Sequence, residues 1–308
     1  MRDYVQGMIE EFPVKLTGIA ATPWTERLMK IDKTSKKLEA ERASTFHTFV
    51  MKAMFLCKRG RPDINMGISF LATRVKEPTE SDWSKLLKVM NFVKRTKDDV
   101  PTLEADDTQS LKWYLDAAFA VHPDMKSHTG STFTLGKGTI ISSSTKQKTN
   151  SRSSTEAELN GVDDHIGKVL WTKRFLEAQG FEVKLNIIYQ DNQSTMKLAM
   201  NGKTSSGKRT RHFDIKLFYV TDLIGKGEVQ VMYCPTDEMV ADYNTKPLVG
   251  SKFVKFRDLI MNLSDIHHLV GQQECVGKQI NIHMYVISPV YAPLRIVPCC
   301  YRYTSSQR

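Results

Sequence analysis

Four carboxylates between residues 116 and 242 stand where catalytic or metal-binding residues are common. Each lies in or beside a predicted helix or strand: Asp116 in the strand YLDAAFAV, Glu158 near the start of a long helix, Asp191 directly after the apolar run LNIIYQ, and Asp242 at or before the start of a helix. In open α/β sheets, sites form at the carboxyl ends of strands. Carboxylates that converge there repel one another unless they hold divalent cations, and oxygen ligands favour Mg²⁺ or Mn²⁺. Two such ions ~4 Å apart support displacement at a phosphodiester.

Each of these residues has a simpler explanation when it is considered singly. An aspartate after a strand or at the start of a helix is typical of a cap or a turn. The case for a site therefore depends on the order of all four residues and on the elements that carry them.

The elements around the carboxylates alternate between strands and helices. Three successive strands are predicted in LKWYLDAAFAV, GSTFTLG and GTIISSST. They are followed by a helix from about 154 to 179, the strand LNIIYQ, a helix in DNQSTMKLAM and a helix over 212–224. The last predicted elements are the strand VQVMYC and helices near Met239 and over 251–262. This order predicts an α/β domain with a mixed five-stranded sheet flanked by helices.

The first hundred residues are predicted to be mainly helical. The clearest helix begins after Thr79 and has a single apolar stripe. The acidic, turn-rich segment 97–110 indicates a boundary, so we expect a small helical region over 1–107 and the α/β domain over 108–262. Residues 263–308 contain three of the five cysteines and lack periodicity, which predicts an irregular tail that does not belong to the native core.

Composition narrows the classes of function. The 44 lysines and arginines exceed the 34 acidic residues, giving a net charge of +10 and a pI near 9.2, which favours a polyanionic partner. The cysteines form no CxxC pair and no zinc-binding spacing with histidine. The acidic N-terminus is unlike a signal peptide, and no apolar run approaches the ~20 residues that span a bilayer. We therefore expect an intracellular protein in a reducing compartment, with no membrane association.

Several phrases in residues 110–262 closely resemble the RNase H domain of copia-type retrotransposon polyproteins. They are SHTGSTFTLG, KQKTNSRSSTEAEL, VLWTKRFLEAQG, IIYQDNQS, KRTRHFDIK and YCPTDEMVADYNTKPL. Upstream, GRPDINMGISFL and PTESDWSKLLKVMNFVKRT are similar to the stretch that follows the polymerase core in those polyproteins. The resemblance implies an RNase H-like fold and linkage to a reverse transcriptase core.

The resemblance also implies the chemistry. The family's metal site falls on Asp116, Glu158, Asp191 and Asp242, with two Mg²⁺ or Mn²⁺ ions and an RNA/DNA hybrid whose RNA strand is hydrolysed. The motif STEAEL offers Glu156 and Glu158, and the family pattern of a glutamate, an apolar residue and then a small residue favours Glu158. Glu156 would point about 200° away around the helix.

Basic residues flank the expected site and are candidates for binding the nucleic-acid backbone. They are Lys148, Arg152, Lys208, Arg209, Arg211 and His212. A duplex of A-form type is recognised through its shape, phosphates and 2′-hydroxyl groups. The alternative is a solubilising loop, with His212 as an ordinary structural histidine.

Two departures limit what the resemblance implies. The family's first strand commonly reads SDADWA, whereas this chain reads LDAAFA and has Ala118 at the second acidic position. No Asp-Asp pair in the first hundred residues lies in an apolar strand, so no polymerase active site is expected.

An integrase is disfavoured because its HHCC zinc segment is missing from the sequence. The main alternative is a catalytically silent, nucleic-acid-binding remnant of a retroelement.

Overall fold

A mixed five-stranded sheet is the centre of the α/β region in the computed structural model, which describes residues 1–106, 109–201 and 214–263. The strands are β1 (Glu104–Ala105), β2 (Ser110–Ala118), β3 (His128–Thr134), β4 (Gly136–Lys137), β5 (Ile141–Lys146), β6 (Leu185–Gln190) and β7 (Gln230–Tyr233). Their order in the large sheet is β5-β3-β2-β6-β7, and β1 pairs with β4 in a separate ribbon. This arrangement confirms the predicted fold class.

Strand direction brings two of the candidate residues to one edge. β2 pairs antiparallel with β3, with Asp116 opposite Gly130, and β3 pairs antiparallel with β5. On its other side β2 runs parallel to β6, which in turn runs parallel to β7. The carboxyl ends of β2 and β6 therefore lie at the same edge of the sheet, where Asp116 and Asp191 are found.

Helices pack on this sheet and also form the region before it. They are α1 (Arg2–Glu10), α2 (Ala40–Arg59), α3 (Asn65–Ala72), α4 (Glu80–Arg95), α5 (Ser154–Ala178), α6 (Gln193–Asn201), α7 (Asp214–Gly225) and α8 (Gly250–Met261). The predicted cap of α4 is present, because Thr79 and Asp82 form a reciprocal capping box. In the part of the chain that the structure describes, no helix combines the length and apolarity needed to cross a membrane.

Two hydrophobic cores hold these elements together. The sheet core stacks Trp113 on Phe133 and receives one face of α5 through residues such as Val169. The helical core contains Phe46, Leu86 and, from the end of the described chain, Phe253 and Phe256 of α8. The helix α8 therefore shares its core with the first hundred residues. The division into 1–107 and 108–262 stays a prediction. Of the predicted tail, 263–308, all residues from 264 onward lie outside the part of the chain that the structure describes.

Candidate metal centre

Three carboxylates converge at the edge where β2 and β6 end. Asp116, Glu158 and Asp191 each offer one oxygen, and these oxygens lie within 4.8 Å of one another. Asp116 and Glu158 are only 3% and 5% exposed, whereas Asp191 is half-buried. A group of hard oxygen ligands at this spacing can hold a divalent cation.

The start of α5 places Glu158 over the sheet. Ser153 caps the helix by accepting the N–H of Glu156. Gln147, directly after β5, donates from its amide to Thr129 Oγ1 at 2.9 Å and to the Ala157 carbonyl at 2.8 Å. These bonds join the loop, the helix start and β3, so the second turn of α5 is fixed above Asp116.

Glu156 and Glu158 serve different purposes in the structure. The Glu156 carboxylate accepts the backbone N–H of Arg152 at 2.7 Å and so closes the turn that leads into α5. Glu158 faces Asp116 and Asp191, and its Oε2 is buried without a hydrogen-bond partner among the described residues. An unpartnered buried carboxylate oxygen is costly unless a cation binds it.

Asp242 lies beside Asp116 on a short 3₁₀ helix, Val240–Asn244. It does not belong to the three-carboxylate group, and it is fully buried. The ammonium of Lys246 lies 2.6 Å from Asp242 Oδ1 and 3.6 Å from Asp116 Oδ2, and Lys252 lies 3.7 Å from Asp242 Oδ2. The hydroxyl of Thr245 donates to Asp116. All four predicted carboxylates are therefore neighbours, with Asp116 in the middle.

A glycine lets the turn that carries Asp242 approach the sheet. A Cβ at Gly130 would lie 2.6 Å from Thr245 Cγ2 and 2.8 Å from the carbonyl oxygen of Ala241, closer than real contacts allow. Asn244 then joins the turn to β3, because its amide donates to the Ser131 carbonyl at 3.2 Å and to Thr132 Oγ1 at 3.1 Å. Residues 240–245 are thus held directly against β3, the strand that pairs with β2 beside Asp116.

A chain of buried polar groups from β5 and β3 supports the same turn. Ser144 donates its hydroxyl to the Asn244 carbonyl at 2.7 Å, so its oxygen accepts from Nε2 of His128, also at 2.7 Å. His128 Nδ1 then accepts from His122 Nε2 at 2.9 Å. Burial lowers the pKa of His122 to about 4 and that of His128 to about 3, so both rings are neutral at pH 7.

The carboxylates have the electrostatics of a cation site. Burial, followed by Asp116 and Asp191, raises the pKa of Glu158 well above its usual range. Burial and Asp116 also raise the pKa of Asp191, and they raise the pKa of Asp242 to about 7. The pKa of Lys246 is raised because Asp116 and Asp242 outweigh the effect of its burial. Burial and mutual repulsion therefore disfavour the ionised carboxylates, and a bound divalent cation would relieve that repulsion.

The predicted nucleic-acid contacts are only partly described. Lys148 and Arg152 are exposed in the loop between β5 and α5, the loop that also positions Glu158. Lys208, Arg209, Arg211 and His212 lie outside the described residues.

Sequence reasoning missed Thr245 and Lys246 as individual site residues, although the four-residue spacing from Asp242 to Lys246 was a signal for an ion pair.

Comparison with known proteins gives consistent relatives. The chain is 27% identical over 262 residues to the retrovirus-related Pol polyprotein from transposon TNT 1-94 of Nicotiana tabacum, an alignment that covers 83% of this chain and 20% of the relative. It is 31% identical over 198 residues to the polyprotein from transposon RE2 of Arabidopsis thaliana, covering 64% and 14%. It is 25% identical over 228 residues to the transposon Ty1-LR3 Gag-Pol polyprotein of Saccharomyces cerevisiae, covering 71% and 12%. The chain thus spans a fifth or less of these curated relatives, and no protein-family model matches it.

Proposed function

Because the chain is homologous to a segment of the Pol polyprotein of Ty1/copia-type retrotransposons, we propose that it is the RNase H part of such a polyprotein. In this proposal the chain is a metal-dependent endonuclease that hydrolyses the RNA strand of RNA/DNA hybrids. The proposal also places the chain next to a reverse transcriptase core and inside the cell, where reverse transcription of a retroelement takes place.

The observation that carries the proposal is the group formed by Asp116, Glu158 and Asp191. Its oxygens lie within 4.8 Å of one another, and Glu158 Oε2 is buried without a hydrogen-bond partner among the described residues. These residues would hold one Mg²⁺ or Mn²⁺, and Asp116 together with Asp242 would hold a second. Bound ions of this kind supply activation of a water molecule and stabilisation of the charge on the leaving oxygen.

The remaining residues of the site keep these ligands in place. Thr245 orients Asp116 through its hydroxyl, and Gln147 fixes the helix turn that carries Glu158. Lys148 and Arg152 would neutralise phosphates of the hybrid, and Lys208, Arg209, Arg211 and His212 are proposed from the sequence to extend this surface. Contacts to phosphates and to sugar hydroxyls read the shape of a hybrid and carry little base specificity.

The test is cleavage of a uniformly labelled RNA/DNA hybrid by the full chain in Mg²⁺. Asp191→Asn keeps the shape of the side chain but removes one charge from the group, so cleavage should fall to the level seen with EDTA. Glu156→Gln is the matched control. Because the Glu156 side chain closes a turn by accepting the Arg152 N–H, which a glutamine oxygen can also do, this variant should keep the wild-type rate. Wild-type cleavage by Asp191→Asn would overturn the proposal. A wild-type chain that binds Mg²⁺ and hybrid without cutting would favour the silent, nucleic-acid-binding alternative.

A further inference from the structure

The carboxylate site has two halves that differ in their cations. Within ion-pair distance in the described parts of the chain, neither Glu158 nor Asp191 has a lysine or arginine partner. The half formed by Asp116 and Asp242 has two: the Lys246 ammonium lies 3.6 Å from Asp116 Oδ2 and 2.6 Å from Asp242 Oδ1, and the Lys252 ammonium lies 3.7 Å from Asp242 Oδ2. One half therefore has an ammonium at ion-pair distance from both of its carboxylates, whereas the other half has one only at Asp116, the carboxylate that the two halves share.

The backbone fixes this lysine next to Asp242. The N–H of Lys246 donates to the Asp242 carbonyl at 2.9 Å, which continues the turn and places the two side chains one turn apart. The intervening Thr245 bonds to Asp116 and prevents the turn from moving away. The lysine side chain is 40% exposed, so its ammonium has an open route to solvent.

We propose that Lys246 is the resident cation of the Asp116–Asp242 half, so that a divalent ion enters this half only by displacing the Lys246 ammonium. The half formed by Asp116, Glu158 and Asp191 takes its ion without such displacement. This inference rests on the proposed function, because it concerns the same metal ligands. It adds a regulatory step: the first ion binds readily and the second binds against an internal competitor.

The chemistry of lysine suits this exchange. An ammonium group is a compact point charge on a flexible four-carbon stem, so it can neutralise a carboxylate pair and then rotate into water. An arginine in the same place would hold its partners in a fixed, forked geometry, as it does elsewhere in this chain around Asp63. Lys252, 3.7 Å from Asp242 Oδ2, would remain to limit repulsion after Lys246 leaves.

The experiment is a Mn²⁺ titration of the full chain without nucleic acid, with free Mn²⁺ measured by electron paramagnetic resonance. In the wild type we expect one ion per chain, followed by a second that binds at least tenfold more weakly. Lys246→Met keeps the length of the side chain without its charge, so the affinity for the second ion should rise at least tenfold. The affinity for the first ion should rise by a smaller factor. Lys255→Met is the charge-matched control, because this exposed lysine of α8 bonds to the Asp237 carbonyl, and it should behave as the wild type.

Each outcome decides the inference. An unchanged affinity for the second ion in Lys246→Met would overturn it, and so would equal increases for both ions. If these results accompany normal hybrid cleavage, only the role of Lys246 fails and the proposed function stands. A wild-type chain that binds no Mn²⁺ at all overturns both. Lys246→Gln, whose amide can still bond to Asp242, gives the same test if the methionine variant does not fold.

Discussion

Two places in this molecule bury carboxylates, and they do so in opposite ways. In the helical region Asp63 is completely buried, and Arg61 donates to both of its oxygens at 2.8 and 2.9 Å while Arg257 donates to one at 2.9 Å. Burial alone would raise the pKa of Asp63, but the two guanidinium groups outweigh it and the pKa is lowered. At the edge of the sheet Asp116 lies among three other carboxylates, and the pKa values of Glu158, Asp191 and Asp242 are raised.

The difference distinguishes a carboxylate that stabilises the fold from carboxylates that can bind a cation. A buried charge that is paired and fully hydrogen-bonded needs nothing from outside the chain, whereas a buried group of like charges is completed only by an external cation. The two regions also touch: Tyr243, next to Asp242 in sequence, donates its hydroxyl to the Asp63 carbonyl at 2.9 Å. The satisfied network thus supports the turn that carries part of the unsatisfied one.

The largest expected effect comes from breaking the satisfied network. Asp63→Asn keeps the volume but leaves the buried Arg61 guanidinium without its carboxylate partner and leaves Arg257 with Asp99 as its acidic partner. Because removing one member of a buried ion pair typically costs about 3–5 kcal/mol, urea unfolding should show a loss of stability of that size. Glu77→Gln is the control, since its pair with Lys37 is exposed and contributes about 1 kcal/mol or less.

The same substitution at the sheet edge sharpens the contrast. In EDTA, Asp191→Asn removes repulsion from Asp116 and should leave the free energy of unfolding unchanged or slightly higher. A comparable loss in the free energy of unfolding for Asp63→Asn and Asp191→Asn would mean that both carboxylates are structural and that the two regions do not differ.

A second prediction concerns the glycine that admits the Asp242 turn. Gly130→Ala places a Cβ against Thr245 and the Ala241 carbonyl, so the turn has to move away from Asp116. Overpacking of this kind costs about 1–3 kcal/mol, and Mn²⁺ should stabilise the variant less than it stabilises the wild type. Thermal unfolding with and without Mn²⁺ measures both effects.

Gly167→Ala provides the opposite expectation on the same fold. A Cβ at this exposed position in the middle of α5 meets nothing within 4 Å. Replacing a glycine inside a helix by alanine should therefore raise stability by about 0.5–1 kcal/mol without changing the response to Mn²⁺. A Gly130→Ala chain that gained stability in the same way would show that the turn is not tightly packed on β3.

Local sequence patterns were sufficient for most of the elements, and the motifs contain the three carboxylates that the structure brings together. Local patterns predicted the capped helix α4, and the change from helical to strand periodicity marked the sheet. Asp191 could be expected near Asp116 because parallel strands end at one edge, and Glu158 was preferred over Glu156 from the motif that follows it. These inferences depend on short segments and on rules that hold for most α/β sheets.

The parts that sequence did not predict depend on contacts between distant residues. Arg257 and Asp63 are 194 positions apart, and Ser144 and Asn244 are 100 apart, so no local pattern joins them. The packing of α8 into the helical core has the same origin. Long-range pairs are specified by the shape of the folded chain, and a periodicity or a motif reports only the face of the element on which each partner lies.

The third prediction uses acid to separate the two regions. Asp63 has a lowered pKa, so its contribution to stability is present above its usual value of 3.8 and is lost only below it. His122 and His128 also have lowered pKa values, of about 4 and about 3, against 6.5 in the unfolded chain. Their contribution is complete above pH 6.5 and decreases as the pH falls from there toward the folded values, because the unfolded chain binds protons first. Between pH 7 and 5 the contribution of the two histidines to stability therefore decreases, while that of Asp63 stays constant.

His128→Gln isolates this contribution, because a glutamine amide can donate to Ser144 and accept from His122 but does not titrate. Urea unfolding in EDTA should show that the wild type loses about 1–2 kcal/mol more than the variant between pH 7 and 5. The raised pKa values of Asp191 and Asp242 act in the opposite direction as the pH falls, but they are common to both chains and cancel in the difference. Parallel losses in the two chains would mean that the His128 ring binds protons in the folded chain as it does in the unfolded chain. The two histidines would then not act as a buried, neutral support of the Asp242 turn.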